Sequence, residues 1–387
     1  MRSALLITLE YPPQIGGIAV YLSRLAECFP TGGIQVLASA AQDTHKTDMR
    51  SPVPIYRRRL LWRWFKPSWL PTLYWADWIC RKEGNPSVVI VSHLLPMGEA
   101  AYWLNRLRRV PYCVILHGMD AALALSSGGR KRRNAVRILS RAAVVAANSE
   151  HTARLAEALG VPKDKIVIVR PSPDFPLYIT VPPEKSAFMR ERFGFRAEDI
   201  VVLSVGRLVA RKGFDTAIRA VAALKAKGPA VKLLIVGDGP EKGNLEKLVG
   251  ELGVAESVRF AGALNDEDLP VCYATSDIFV MVPRSIGADV EGFGIVYLEA
   301  ALFGKPAVGS RSGGVPEAVL HEKTGLLVEP GDVEQTAAAI GRLAADPALR
   351  ETLGQEARQR VVDQFGWSRQ AQGLIAALDE VIGEKQL

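Results

Sequence analysis

The 387-residue sequence predicts an α/β fold of two doubly wound parallel sheets. Short, near-continuous apolar runs alternate with segments of helical periodicity, the rhythm of parallel strands joined by crossover helices. That rhythm occurs on both sides of a proline-rich stretch, Arg170-Pro-Ser-Pro-Asp-Phe-Pro176 through Pro182-Pro183, the expected linker. The length suits two domains of ordinary size, and 48% hydrophobic residues supply their cores.

In the N-terminal half, strands are expected at 5–9, 35–38, 88–91, 113–116, 143–147 and 166–169. In the C-terminal half they are expected at 201–205, 232–236, 258–260, 278–282, 307–309 and 325–328. Helical spacing is clearest from Gly213 onward (Phe214, Ala217, Ile218, Val221, Leu224), over 294–303, and in the tail from Trp367. The domains are then 1–175 and 176–366, followed by a C-terminal helix, 367–387.

Cys28, Cys80, Cys113 and Cys272 show no paired or metal-ligand spacing and read as reduced thiols of a cytosolic protein. The run Ala4-Leu-Leu-Ile-Thr-Leu9 is too short for a secretory core and reads as a first strand. No apolar run reaches the ~18 residues that cross a bilayer, so an integral membrane protein is not expected.

Charge is unevenly placed. Residues 1–180 hold 24 Lys+Arg against 12 Asp+Glu, a balance of +12; the rest hold 24 against 29, or −5. The excess concentrates in Arg57-Arg-Arg-Leu-Leu-Trp-Arg-Trp-Phe-Lys66, continuing to Trp69, Tyr74, Trp75 and Trp78, and in Arg130-Lys-Arg-Arg133 with Arg137 and Arg141. Tryptophans interleaved with cations suit an anionic membrane surface; the alternative is a core-packing helix with a solvated basic face. No nucleic-acid-binding motif accompanies the charge, and a nucleic-acid partner is not expected.

The segment Glu291-Gly-Phe-Gly-Ile-Val-Tyr-Leu-Glu299 points most directly to chemistry. One carboxylate stands just before a helix and the second ~2.2 turns further on. Gly292, Phe293, Gly294 and Ile295 lie between them, where free N–H groups and the helix dipole can receive a phosphate. A ribose diol, a diphosphate and a hexose would satisfy these groups together; a capping acid followed by a solvated glutamate is the plainer alternative. Arg207 and Lys212 follow the apolar run ending at Gly206, on a loop at a strand's carboxyl end, where such sheets bind ligands. Two cations there could neutralise a departing diphosphate. Gly16-Gly17 follows the first strand and lets backbone approach a phosphate. His117 ends another strand, and Asp120 could orient it, bind acceptor or cap the turn.

With these residues in place the sequence resembles the family-four retaining glycosyltransferases. The likeness rests on Val205-Gly-Arg207 to Lys212-Gly213, Val236-Gly-Asp-Gly-Pro240, Phe260-Ala-Gly262, the Glu291 to Glu299 element and Ser312-Gly-Gly-Val-Pro-Glu317. Gly16-Gly17 and His117-Gly-Met-Asp120 extend it over nearly the whole chain. Val282-Pro-Arg-Ser285 and Val290-Glu-Gly-Phe-Gly-Ile295 look most like mannosyltransferases acting on phosphatidylinositol mannosides. An Asn-Gly or Ser-Gly turn usual in the family's linker is missing.

The resemblance implies a GT-B fold, two Rossmann-like domains facing each other across a cleft, with the C-terminal helix returning to an N-terminal acceptor-binding domain. It implies donor contacts at Gly16, Gly17, Gly262, Leu264, Gly292, Phe293, Gly294, Ile295 and Glu299, and catalysis by Arg207, Lys212, Glu291 and His117. Asp120 is an acceptor contact in that scheme. The expected donor is GDP-mannose, with a UDP-hexose such as UDP-glucose or UDP-N-acetylglucosamine as alternative; the acceptor is a lipid or glycan hydroxyl. No Asp-x-Asp motif stands out, and no carboxylate pair suited to a covalent intermediate, so metal-independent, same-face attack is expected. The expected place of work is the inner face of the cytoplasmic membrane, bound peripherally. A nucleotide-sugar hydrolase or epimerase, or a non-catalytic sugar-nucleotide-binding subunit, would share much of this pattern.

Overall fold

A computed structural model describes residues 4–384 apart from 15, 63, 65, 177–178 and 226–229, so Arg63 and Phe65 of the basic aromatic segment and part of the proline-rich linker lie outside the described residues. The chain divides into two compact units, Met1–Asp174 with Trp367–Leu387, and Phe175–Gly366.

The first unit is built on β1 (Ala4–Thr8), β2 (Ile34–Ser39), β3 (Ile55–Arg58), β4 (Val88–Val91), β5 (Tyr112–Leu116), β6 (Val144–Ala147) and β7 (Ile166–Ile168). They form one parallel sheet in the order β3-β2-β1-β4-β5-β6-β7. The central strands are apolar along their whole length because both faces are covered. Leu5, Ile7, Val89 and Val91 enter one core, while Ala4, Leu6, Val88 and Ile90 enter the other. Helix Trp367–Glu384 helps close the second face by burying Ala371, Leu374 and Leu378. Each leucine so buried contributes roughly 1.5–3 kcal/mol. Trp367 donates to the Pro173 carbonyl at 3.2 Å, and the Arg170 amide donates to the Gln370 side chain at 3.1 Å.

The second unit contains β8 (Ile200–Val205), β9 (Val231–Val236), β10 (Val258–Gly262), β11 (Ile278–Val280), β12 (Ala307–Ser310) and β13 (Gly325–Val328). This sheet is also parallel, in the order β10-β9-β8-β11-β12-β13. Its faces divide in the same way: Val202, Leu233 and Ile235 pack on one side, Val201, Leu203 and Leu234 on the other.

Two expectations need correction. The stretch opening at Arg57 is not one element: Ile55–Arg58 is an edge strand of the sheet, while Tyr74, Trp75 and Trp78 lie on helix Leu70–Glu83, which packs on the core. Its arginines work inside the unit: Arg57 pairs with Asp48 at 2.7 Å, and the Arg58 guanidinium lies 4.7 Å from the Trp75 ring centroid. Charges on an edge strand also discourage pairing with another chain. Trp75 and Trp78 pack partly buried against the core. The second correction concerns the helix expected over 294–303. It runs Ile295–Leu302, so Glu299 stands only about one turn inside it.

Candidate functional site

Each sheet reverses its winding at one place. In the first, the chain leaves β1 toward β2 and leaves β4 toward β5; in the second, it leaves β8 toward β9 and β11 toward β12. The crevices beyond the carboxyl ends of β1 and β4, and of β8 and β11, are therefore the topological switch points at which open α/β sheets bind ligands.

At the second unit's switch point the loop after β8 delivers Lys212 and Arg211, and the segment after β11 delivers Glu291. Glu291 Oε2 lies 2.6 Å from Lys212 Nζ and 2.5 Å from Arg211 Nη1, and Arg211 Nε reaches Asp289 at 2.9 Å. Burial pushes the Glu291 carboxyl up, but the Lys212 and Arg211 charges outweigh it and hold the group below its ordinary value. Two cations against two carboxylates leave this cluster without net charge. Arg207 differs: its side chain is exposed and makes no hydrogen bond or ion pair with any described residue.

Close backbone packing holds the carboxylate loop. The Gly314 amide donates to the Glu291 carbonyl at 3.0 Å, and a Cβ at Gly314 would stand 2.1 Å from the Gly292 carbonyl oxygen. Gly294 caps helix Ile295–Leu302 at φ 92°, and a Cβ there would meet the Tyr297 ring at 2.6 Å. The first N–H groups of that helix have no partner within it. Phe293 is buried, whereas Gly292 and Ile295 are partly exposed beside it. Glu299 is buried on the helix, and its Oε2 accepts from the Tyr273 hydroxyl at 2.7 Å. Gly262 ends β10 at φ 71° and its carbonyl accepts from the Gly237 amide at 2.8 Å; Leu264 follows, partly buried against the core.

At the first unit's switch point, Glu10, Gly16 and Gly17 follow β1, while Ser92 and His93 follow β4. Gly17 opens helix Gly17–Glu27. His117 ends β5, with its ring edge-on to Tyr21 at 5.4 Å and its Nε2 buried without a hydrogen-bond partner. Burial first, then the nearby His93, pulls the His117 imidazole down to about 3, against smaller opposing effects of Glu10 and the Ser92 backbone. Asp120 Oδ1 accepts from the His117 amide at 3.1 Å and the Ala121 amide at 2.9 Å, so this carboxylate caps the turn and holds the backbone of His117. Its Oδ2 is buried without a hydrogen-bond partner, and burial raises the Asp120 carboxyl above its ordinary value.

The sequence reading missed Arg211, Asp289 and Tyr273 in one unit and Glu10 and His93 in the other. Arg211 adjoins Lys212 and could have been included with it. Glu10 offered the same signal as His117, a polar residue just past an apolar strand. His93 and Tyr273 gain meaning only from contacts across tens of residues. Among the described residues, no group of three or more His, Cys, Asp or Glu side chains is placed to hold a metal, and no helix is long and apolar enough to cross a membrane.

Two Rossmann-like sheets of this kind are the GT-B architecture of sugar transferases. The HepE protein of Anabaena, solved in complex with UDP and glucose, superposes with a TM-score of 0.80 at 22% identity, covering 97% of this chain and 99% of that one, a likeness of fold. Family models described as "Glycosyl transferases group 1" and "Glycosyl transferase 4-like domain" match residues 185–360 and 16–172. The chain belongs to this glycosyltransferase family and is an enzyme of that class. A GDP-mannose-dependent alpha-(1-6)-phosphatidylinositol monomannoside mannosyltransferase of Mycolicibacterium smegmatis is 35% identical over 94% of both chains. The GDP-mannose-dependent monoacylated alpha-(1-6)-phosphatidylinositol monomannoside mannosyltransferase of Corynebacterium glutamicum is 30% identical over 95% of both.

Proposed function

We propose that the protein transfers mannose from GDP-mannose, with retention of anomeric configuration, to a hydroxyl of a phosphatidylinositol mannoside. The observation that carries this reading is the cluster of Lys212, Arg211 and Glu291 at the second unit's switch point, beside the glycine-capped helix at Gly294. The donor and acceptor named for the 35% identical relative support the choice of substrates.

The charge balance suggests how the site works. A neutral cluster has little attraction for a diphosphate, so the exposed Arg207 and the helix amide groups supply the first attraction. Lys212 then turns part of its charge from Glu291 to the phosphate. As the glycosidic bond breaks, negative charge grows on the leaving oxygen and these contacts strengthen, which lowers the barrier. Glu291, loosened from Lys212, accepts hexose hydroxyls, and Glu299 takes the ribose diol in exchange for part of its bond to Tyr273. The leaving phosphate receives the acceptor proton on the face it departs from. Gly262, Leu264, Phe293 and Ile295 shape the rest of the donor site. On the first unit, Gly16 and Gly17 lend backbone to a phosphate, His117 contacts the transferred sugar as a neutral ring, and Asp120 stands on the acceptor side. We assign the diphosphate charge to side chains and amide groups rather than to a metal; full activity in chelator tests that assignment.

A lipid acceptor also gives a task to the exposed face near the edge strand. Trp64 is 85% exposed and Tyr74 62%. A groove of about 730 Å³, lined by Trp62, Leu70, Tyr74, Leu107 and Arg59 among others, opens beside them. We assign this face, with the basic helix Gly129–Arg141, to peripheral contact with an anionic membrane on its cytoplasmic side, each basic residue there adding ~1 kcal/mol. Labelled GDP-mannose and phosphatidylinositol monomannoside test the reaction. A mannosylated lipid of unchanged anomeric form is expected; free mannose alone would mean a hydrolase. Only GDP, of GDP, UDP and ADP, should raise the melting temperature.

A further inference from the structure

At the first unit's switch point four side chains close into a ring that the reading above leaves without a task. Thr8 Oγ1 donates to the Glu10 carbonyl at 2.8 Å and accepts from the Glu10 amide at 3.0 Å. Ser92 Oγ donates to Thr8 Oγ1 at 2.9 Å and lies 2.7 Å from His93 Nδ1. His93 Nε2 stands 3.4 Å from Glu10 Oε1. Because Ser92 gives its single proton to Thr8, it accepts from His93 Nδ1–H. His93 Nε2 is then the atom turned to the Glu10 carboxylate. The ring joins the ends of β1 and β4 and fixes the direction of one carboxylate.

That carboxylate is not consumed by the ring. The Glu10 side chain is 42% exposed, and its Oε2 faces Gly16, where a Cβ would stand 3.9 Å away; the space beside Gly17 is open. The His93 hydrogen bond, outweighing burial, holds the Glu10 carboxyl below its ordinary value. An ionised carboxylate only accepts hydrogen bonds and repels phosphate, so its partner presents hydrogen-bond donors rather than phosphoryl oxygens. The diphosphate is assigned to the cations of the other unit and to the Gly16 and Gly17 backbone, so this carboxylate itself is left without a phosphate to hold. What remains in a glycosyl transfer is the polyol that receives the sugar.

We propose that Glu10, held by His93, grips hydroxyl groups of the acceptor's polyol headgroup and orients it for attack. Glu10 is a binding and positioning residue that takes no proton, and His93 acts through it. The proposal rests on the glycosyl-transfer reading above but fails separately from it.

The test uses the full chain with GDP-mannose and phosphatidylinositol monomannoside in detergent micelles. Glu10→Gln keeps the shape and removes the charge. Its KM for the lipid should rise about 10-fold, the difference between a charged and a neutral hydrogen-bond acceptor. Its KM for GDP-mannose and the melting-temperature rise caused by GDP should hold. His93→Ala should raise the lipid KM less, and should add little to Glu10→Gln in the double variant. An unchanged lipid KM in Glu10→Gln, or a rise in the donor KM instead, overturns the proposal. If Glu10→Gln does not fold, Glu10→Asp, which keeps the charge and withdraws it by one methylene, reads the same constants. Calorimetric binding of the same micelles without donor provides a measure independent of turnover, and equal binding by wild type and variant overturns the proposal. Wild-type protein that makes no mannosylated lipid strikes the functional reading instead.

Discussion

At the switch point of the first unit a carboxylate stands half exposed beside a histidine; at that of the second, a carboxylate is buried between two cations. Both positions arise from the same winding, in which one strand sends the chain left and its neighbour sends it right. The winding fixes where a ligand sits and leaves its chemistry to the loops. In the second unit those loops bring charges that already neutralise one another, and the proposed reaction has them rearrange around the donor's phosphates. In the first they bring the Glu10 carboxylate with one free side and, at the end of β5, the His117 imidazole kept neutral by burial, which suit hydroxyl groups. The contrast matches the two halves of the proposed reaction, an anionic donor and a polyol acceptor.

The sharpest way to break this comparison is Lys212→Ala. Glu291 would be left buried with Arg211 alone, and the proposed reaction would lose one of the cations assigned to the leaving phosphate. Turnover should fall on the order of 10²-fold, the usual effect of removing one preorganised partner of developing charge. Stability should fall by roughly 1–3 kcal/mol, because a buried carboxylate loses a charged hydrogen bond. Steady-state kinetics and a denaturant titration check the two effects. Near-normal turnover would mean that the cation serves the fold alone.

Gly294→Ala tests the backbone side of the same site. A methyl group would have to fit a left-handed conformation and displace the Tyr297 ring, whose hydroxyl bonds to the Met281 carbonyl. A loss of roughly 1–3 kcal/mol is expected, measurable as a lower melting temperature, with GDP giving less protection than in wild type. Arg207→Ala should behave differently. With no partner among the described residues, its loss should leave the melting temperature in place while turnover drops at least ~10-fold, or ~1.4 kcal/mol. A matching loss of stability in Arg207→Ala would remove the distinction between the free cation and the paired one.

What the sequence disclosed about these two regions differed for a physical reason. Strands such as Val88–Val91 and Val201–Val205 were legible because a central parallel strand is covered on both faces and must be almost wholly apolar. The edge strand Ile55–Arg58 was not. It is only four residues long, ends in two arginines and leads into a run whose tryptophans suggest a different structure. Glu291 and Lys212 stood out because a short segment holds each of them in a recognisable pattern. Glu10 and His93 follow strands separated by three crossovers, and only the sheet order makes them neighbours. The contact of Tyr273 with Glu299 was hidden in the same way, since nothing local to either residue predicts it.

The smallest effect expected near neutral pH comes from His117, and it concerns the first unit's electrostatics. Its imidazole is held at about 3 in the folded chain, against 6.5 as its ordinary value. Between those values the unfolded chain binds a proton that the folded one refuses, so stability falls as pH drops below 6.5, by at most ~1.4 kcal/mol per pH unit. Above 6.5 the residue contributes no slope. Glu10 and Glu291, whose carboxyls lie below their ordinary values, also lose stabilisation on acidification, but only as pH falls through the carboxylate range. The two sources therefore separate in pH. A His117→Phe variant, whatever its absolute stability, should show a flatter denaturation midpoint than wild type from pH 6.5 down toward pH 3, most cleanly in the upper part of that range, where the carboxylates do not yet contribute. Parallel curves over the upper window would mean that water reaches the ring, and the first unit would lose the neutral histidine that sets it apart from the charged cluster of the second.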